Sequence, residues 1–177
     1  ITTHGMLTQV VACHGNRNAL TFQLMSGAKD PAETLTWAEA ELQINQVANL
    51  FHDLGIGETD VVAFILPNSV ETFLTLIAAE VTGLVNPINH LLDPEHIGGI
   101  LKETGAKVVV TLKSFPKTDV AQKVAQALDH APAVETVLEI DLLRYLTPPK
   151  SWIVPLIRPK NPVTHGKRVL DFNAERK

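Results

Sequence analysis

The fold is decided by residues 60–89, DVVAFILPNSVETFLTLIAAEVTGLVNPIN. The apolar run that follows Asp60 is unbroken up to Leu66, which is typical of a strand covered on both faces. Pro67-Asn68-Ser69 ends this run, and Val70 to Thr82 is apolar nearly all round, which predicts a buried helix with Asn68 or Ser69 as its cap. A second short strand, Leu84 to Asn89, follows Gly83. Strand, helix and strand in this order form a βαβ unit with parallel strands.

The alternation of strands and helices continues on both sides of this unit. Upstream, Thr36-Trp-Ala-Glu39 has the form of a capping box, and apolar residues at helical spacing continue to Leu54, where Gly55 ends the helix. Downstream, Asp93-Pro94 opens a helix that Gly105 closes. The remaining predicted elements are a short helix at 6–13, a hairpin at 18–37, strands at 106–112 and 134–140, and a helix at 118–130.

This order predicts an α/β fold: a Rossmann-like, mainly parallel sheet flanked by helices, with the early hairpin as an antiparallel addition. We place the α/β unit at residues 1–140. Residues 141–177 are predicted to be an extended, proline-rich segment, because they contain five of the 11 prolines and lose the periodicity. Within this segment, Ser151-Trp-Ile-Val154 predicts a packed or membrane-touching patch, and Val169-Leu-Asp-Phe172 a last docked stretch.

Composition limits the function classes. The chain has 177 residues, 15 Lys+Arg against 19 Asp+Glu, a net charge of −4 and 45% hydrophobic residues, so we expect a folded domain without a nucleic-acid surface. No apolar run approaches the ~20 residues that span a bilayer, so no integral membrane segment is expected. The single cysteine, Cys13, fits a reducing cytoplasm, and no secretory signal is apparent. The start at Ile1 suggests a partial chain.

Catalytic and ligand-binding residues are expected in the loops after the strands, because parallel α/β sheets bind ligands beyond the carboxyl ends of their strands. None of these loops carries a recognisable catalytic set, and no Cys/His cluster has metal-ligand spacing. Gly55-Ile56-Gly57 resembles part of a dinucleotide fingerprint, but it follows a helix and precedes a strand, the reverse of the required order. Of the seven histidines, only His90 is singled out, because it follows a predicted strand.

A series of short stretches, in this order, resembles the N-terminal part of acyl-CoA synthetases of the adenylate-forming (AMP-binding) superfamily. The resemblance covers residues 16–140 and rests on many positions together. The stretches are Leu35-Thr-Trp-Ala-Glu39, Asn45 to Leu54, Gly55-Ile-Gly-Glu-Thr-Asp60, Val61 to Ser69, Glu71-Thr-Phe73, Gly83-Leu-Val-Asn-Pro-Ile-Asn89, and Ile100 to Val110.

The resemblance implies a parent enzyme that converts a carboxylate, such as a fatty acid, and ATP to an acyl-adenylate and passes the acyl group to coenzyme A. ATP, Mg²⁺ and coenzyme A are implied for that enzyme. Its Ser/Thr/Gly-rich phosphate loop does not occur in this sequence. The resemblance therefore implies a chain that stops before its phosphate-binding loop, with no catalytic residue, no metal site and no activity of its own.

Asn89 and His90 are the candidate binding residues. In related enzymes the loop after the Pro-x-Asn strand approaches the nucleotide of coenzyme A, often with a basic residue after the Asn; here Asn89 is followed by His90-Leu91-Leu92, without an arginine. The alternative for this loop is a turn that caps the helix opened by Asp93.

Two other functions stay open at this level: a self-contained Rossmann-like nucleotide-binding domain and a protein-interaction domain. The expected partners are the rest of the same protein, comprising its remaining AMP-binding and C-terminal domains. Self-association through exposed apolar surface is a further possibility, since a face that lacks its usual cover favours another partner.

Overall fold

A parallel sheet forms the centre of the computed structural model, which describes residues 2–28, 30–164 and 166–176. In chain order the strands are β1 (Asn18–Phe22), β2 (Glu33–Thr36), β3 (Val61–Ile65), β4 (Leu84–Pro87), β5 (Val108–Leu112), β6 (Thr136–Ile140) and β7 (Arg168–Asp171). The helices are α1 (Thr3–His14), α2 (Trp37–Asp53), α3 (Val70–Thr82), α4 (Pro94–Thr104), α5 (Val120–Ala127), α6 (Lys150–Ile157) and α7 (Phe172–Glu175).

The strand order across the sheet is β4-β3-β5-β6-β7, and every neighbouring pair is parallel. All five residues of β5 are buried, as the continuous apolar run predicts for a strand with helices on both faces. The chain moves outward from β3 to β4 and then returns past β3 to β5. Because βαβ crossovers are right-handed, this reversal places α3 and α4 on opposite faces, where α3 packs on α2 and α4 packs on α5.

The helix starts confirm the capping patterns in the sequence. Thr36 and Glu39 form the predicted capping box: the backbone N–H of Thr36 donates to Glu39 Oε2 at 2.8 Å, and that of Glu39 donates to Thr36 Oγ1 at 3.3 Å. Ser69, one of two candidates, caps α3, and Asp93 caps α4. Gly105 ends α4 with a φ of 63°, a left-handed conformation that favours glycine.

The predicted hairpin is present as β1 and β2, which pair antiparallel. The two strands form a sheet of their own, beside the parallel sheet, and β1 packs against α2 and α3. The hairpin therefore covers the ends of these two helices and adds no strand to the main sheet.

The segment after Asp141 is more regular than the extended path that the sequence predicts. It forms a 3-10 turn at Leu142–Tyr145, the helix α6, the strand β7 and the short helix α7. β7 pairs with β6, so the sheet continues across the boundary placed at residue 140, and Phe172 is fully buried as the predicted docked stretch requires. Pro155 lies inside α6. Because proline is unfavourable in a helix interior, the number of prolines predicted extended chain here and not a helix. No helix in the described part of the chain is long and apolar enough to cross a membrane.

Candidate functional site

A cavity of about 360 Å³ opens where the strand order reverses, beyond the carboxyl ends of β3 and β5. Ligands bind at this position in open α/β sheets because the loops on either side leave toward opposite faces. Pro67 follows β3, Leu112 ends β5, and His90 follows β4. The other lining residues are Leu24, Leu91, Phe115, Pro116, Lys117, Thr118, Asp119, Val120 and Leu142.

Of the two predicted binding residues, His90 lines this cavity and Asn89 does not. His90 is half-buried and lines the wall. Asn89 is exposed, and its Oδ1 accepts a hydrogen bond from the backbone N–H of Leu91 at 3.0 Å. This bond forms a local turn of the kind that asparagine side chains favour, so Asn89 shapes the loop that presents His90.

The polar groups of the cavity are arranged to receive a polar or anionic ligand atom. His90 and Lys117 lie on its wall, and α5 begins there with Asp119 as its N-cap residue. The Asp119 side chain makes no capping hydrogen bond, and its carboxylate pairs with Lys123 at 3.3 Å. The backbone N–H of Val120 donates to Thr118 Oγ1 at 3.4 Å, so the N–H groups that follow Val120 are the ones available to another acceptor. Lys117 has a φ of 65°, an uncommon conformation for a residue with a side chain. Sequence reasoning missed Lys117 because no motif contains it.

A larger cavity, of about 640 Å³, lies between α4 and the end of α5 and has a different character. Carboxylates of Asp93, Glu95 and Asp129 line it with His130, which disfavours a phosphate. The backbone N–H of His96, followed by the His96 ring, lowers the pKa of Asp93 below its usual value. Among the described residues no group of three or more His, Cys, Asp or Glu side chains is placed to hold a metal ion; His165 lies outside them.

A buried carboxylate, Glu71 at the start of α3, is the centre of a polar network that the sequence did not reveal. Its side chain is fully buried and accepts hydrogen bonds from the Tyr145 hydroxyl at 2.6 Å, from Arg144 at 2.8 Å and from Asn173 at 3.1 Å. Arg144 also pairs with Glu33 of the hairpin at 2.9 Å. The network therefore joins the hairpin, α3, the turn after β6 and α7.

Two members of this network, Tyr145 and Arg144, have raised pKa values. Burial, followed by the Glu71 charge, raises the pKa of Tyr145 well above its usual range, so the phenol stays a hydrogen-bond donor. Burial acts to lower the pKa of Arg144, but the hydrogen bond to Glu33 and the charge of Glu71 raise it overall. A buried charge is tolerated only with such partners, and the network is therefore structural support rather than a reactive site.

A second polar link attaches the chain after α6 to the carboxyl edge of the sheet. Arg158 donates two hydrogen bonds to Asp141, at 2.9 and 3.0 Å. Burial acts to raise the pKa of Asp141, but the Arg158 bonds and the backbone N–H of Leu143 lower it overall. Asn161 accepts from the Ser114 backbone at 2.9 Å and donates to Glu139, whose pKa is raised by burial.

The sequence matches the family model described as AMP-binding enzyme over residues 7–165. Similar proteins include the marinolic acid–CoA ligase of Pseudoalteromonas sp. (strain SANK 73390), 35% identical over 112 residues that cover 63% of this chain and 17% of the relative. The 4-coumarate–CoA ligase of Pinus taeda is 31% identical over 115 residues, which cover 64% of this chain and 20% of that protein. The chain thus spans about a fifth of the length of such relatives.

The fold has a match among solved structures in the anthranilate CoA ligase AuaEII, determined in complex with anthranoyl-AMP. The TM-score is 0.71 and the identity 19%, and the match covers 99% of this chain and 27% of the ligase. At this identity the likeness concerns the fold, and it agrees with the parallel sheet and the helix layers described above. Together with the family match over most of its length, this shows that the chain belongs to the AMP-binding enzyme family.

Proposed function

We propose that this chain is the first part of an ATP-dependent acyl-CoA ligase that joins a carboxylic acid of the fatty-acid class to coenzyme A through an acyl-adenylate. The family match over residues 7–165 carries the proposal, and the CoA ligases among the relatives support it. Because the chain spans only about a fifth of those relatives, the adenylation chemistry belongs to groups outside these 177 residues. The chain alone is therefore expected to be inactive.

ATP phosphates and Mg²⁺ do not fit the residues present. Binding of the ATP triphosphate needs a loop of backbone N–H groups with a nearby cation, and Mg²⁺ needs carboxylate oxygens. The 177 residues contain no Ser/Thr/Gly-rich loop that ends in Lys, and no metal-holding cluster occurs in the described part of the chain. We therefore assign no reaction step to this chain.

The cavity beside β3 and β5 fits a role in binding coenzyme A. Its volume of about 360 Å³ lies at the small end of the ~300–1,000 Å³ typical of ligand sites, so it suits one end of a large ligand. His90 and Lys117 supply cationic or hydrogen-bonding groups for a nucleotide phosphate, and Asn89 holds the loop in place. Coenzyme A would supply the thiol that accepts the acyl group.

The rest of the same protein is the proposed main partner. Leu42 on α2 and Leu84 on β4 are large apolar side chains that stay exposed on the flanks of the domain. Further domains would cover such positions, and the isolated chain would self-associate through them. A reducing cytoplasm is the proposed compartment, because the one cysteine, Cys13, is free.

The test compares the chain alone with the chain joined to its natural continuation. Carboxylate-dependent exchange between ATP and pyrophosphate should occur only in the joined protein. In that protein His90→Ala should raise the KM for coenzyme A by about tenfold, as expected for a hydrogen bond to a charged group, and leave the exchange reaction unchanged. His52→Ala, at an exposed histidine of α2, is the matched control.

Two results would contradict the proposal. Exchange catalysed by the isolated 177 residues would show that the chain holds the adenylation groups. Tight binding of ATP or AMP by the chain alone, measured by titration calorimetry, would favour a self-contained nucleotide-binding domain instead.

A further inference from the structure

Helix α6 presents apolar side chains to solvent. None of its eight residues is buried, and the exposed fractions are 70% for Trp152, 49% for Ile153, 85% for Leu156 and 61% for Ile157. These four side chains are called the α6 surface below. Soluble domains expose large apolar side chains singly, and four on one short helix mark an interaction surface.

The chain around α6 is basic throughout. Residues 142–170 contain no Asp or Glu and six Lys or Arg, although the whole chain has a net charge of −4. The cations are Arg144, Lys150, Arg158, Lys160, Lys167 and Arg168. Lys160 is exposed, and within the described ranges it forms no salt bridge. Arg168 begins β7 at the amino edge of the sheet, whereas Arg158 attaches α6 to Asp141, beyond the carboxyl end of β6, so Arg168 does not belong to the α6 surface.

Two ion pairs hold α6 at its ends. Lys150, the first residue of the helix, pairs with Asp30 at 2.7 Å, and Arg158, directly after it, pairs with Asp141 at 2.9 Å. These pairs attach the helix to the domain through its polar ends, so the apolar side chains between them are left outside. The exposure of the α6 surface is therefore built into the fold.

We propose that α6 binds the surface of a bilayer that contains anionic lipid. Tryptophan and aliphatic side chains on a helix flanked by Lys and Arg match the boundary between headgroups and acyl chains. Lys160, two residues after Arg158, would add attraction to anionic headgroups. A second copy of the chain fits less well, because a helix of eight residues is about 12 Å long and offers far less than the roughly 800 Å² per partner of a stable interface. The proposal does not use the acyl-CoA ligase assignment, but the further domains proposed above are a competing occupant of the α6 surface. If the chain joined to its natural continuation failed to bind anionic vesicles that the chain alone binds, the surface would belong to those domains and the proposal would be overturned.

Vesicles test this proposal directly. The chain should sediment with vesicles of phosphatidylcholine and phosphatidylglycerol, and more weakly with phosphatidylcholine alone. Leu156→Asp and Ile157→Asp should each lower the partition coefficient by about tenfold or more. Lys160→Gln should lower it about fivefold on the anionic vesicles only. Because no α6 residue is buried, these variants keep the fold, which circular dichroism checks.

Trp152 can report on vesicle binding by its fluorescence, and Leu42 provides a control substitution outside α6. It has two tryptophans, so Trp37→Phe leaves Trp152 as the only fluorescent indole, and its emission should shift to shorter wavelength on vesicles. Leu42→Asp, a similar change at an exposed leucine of α2, should bind as the parent chain does. Failure to bind anionic vesicles, or equal binding after Leu156→Asp, would overturn the proposal. A further result would also overturn the proposal: the chain forms dimers without lipid, Leu156→Asp dissociates them, and the parent chain does not bind vesicles. The α6 surface would then bind a second copy of the chain.

Discussion

Residues 36–140 and residues 141–176 belong to one fold but are held by different interactions. In the first region, helix caps and apolar burial act together, and β5 has no exposed residue. In the second region α6 has no buried residue, although Leu142, Tyr145 and Phe172 reach the core and β7 pairs with β6. Polar contacts of Arg144, Arg158 and Asn161 hold the rest of this region. The first region therefore depends on local patterns and a shared core, and the second on a few buried side chains together with single polar contacts between distant residues.

This difference determines which changes each region tolerates. Apolar burial is distributed over many side chains, so it makes the central sheet stable as a unit. Polar contacts are few and directional, and losing one leaves a partner without its hydrogen bonds. We expect the second region to open before the first, which amide hydrogen exchange can measure.

The largest effect is expected from removing a core side chain in the first region. Leu138 in β6 is completely buried between β5 and β7, so Leu138→Ala should lower the free energy of unfolding by about 3 kcal/mol, within the 2–5 kcal/mol typical of such sites. Leu156→Ala in α6, where the same residue type is 85% exposed, should change it by less than about 0.5 kcal/mol. Urea unfolding of the two variants measures both values; similar losses would show that α6 is packed in solution.

The next effect concerns the polar network of the second region. Glu71→Gln keeps the size of the side chain but removes the charge that holds Arg144 and Tyr145, so we expect a loss of about 2 kcal/mol. Glu33→Gln removes only the more exposed partner of Arg144 and should cost less than about 1 kcal/mol. The loss in Glu71→Gln should be accompanied by faster hydrogen exchange in β7 and α7. Faster exchange in β3 first would contradict the division into two regions.

The first region was predictable because its signals are local. Thr36 lies three residues before Glu39, and Asp93 comes directly before Pro94. Each capping motif is therefore contained in a few consecutive residues. The network around Glu71 has no such signal, because Arg144, Tyr145 and Asn173 follow it by 73, 74 and 102 residues. A glutamate in the first turn of a helix is ordinarily a surface residue that favours the helix dipole.

The candidate site was predictable to a similar extent. His90 was singled out because it follows a strand, and the structure places it on the wall of the cavity, while its role in binding stays a prediction. Leu24, Lys117 and Leu142 come to the same cavity from three other segments, and only the folded chain brings them together. Helix α6 was missed because its prolines, Pro149 and Pro155, are typical of extended chain.

The smallest effect is expected from the Asp141–Arg158 pair, and it should depend on pH. The pKa of Asp141 is lower in the folded chain than its usual value of 3.8, so the folded state favours the charged carboxylate. The stabilisation is then fully present above the unfolded pKa and is lost as the pH falls through the folded pKa. Asp141→Asn should lower the free energy of unfolding by about 1 kcal/mol at neutral pH.

Unfolding of the parent chain and of Asp141→Asn over a series of pH values measures this pair. The difference in stability should be constant from pH 7 to about pH 5 and should shrink below about pH 4, where protonation of Asp141 in the unfolded chain begins to favour unfolding. Glu58→Gln, at an exposed carboxylate in the turn before β3, should show little difference at any pH. If the Asp141→Asn difference were unchanged in acid, the charge of Asp141 would not contribute to stability, and the ion pair with Arg158 would not be what holds the second region at this edge of the sheet.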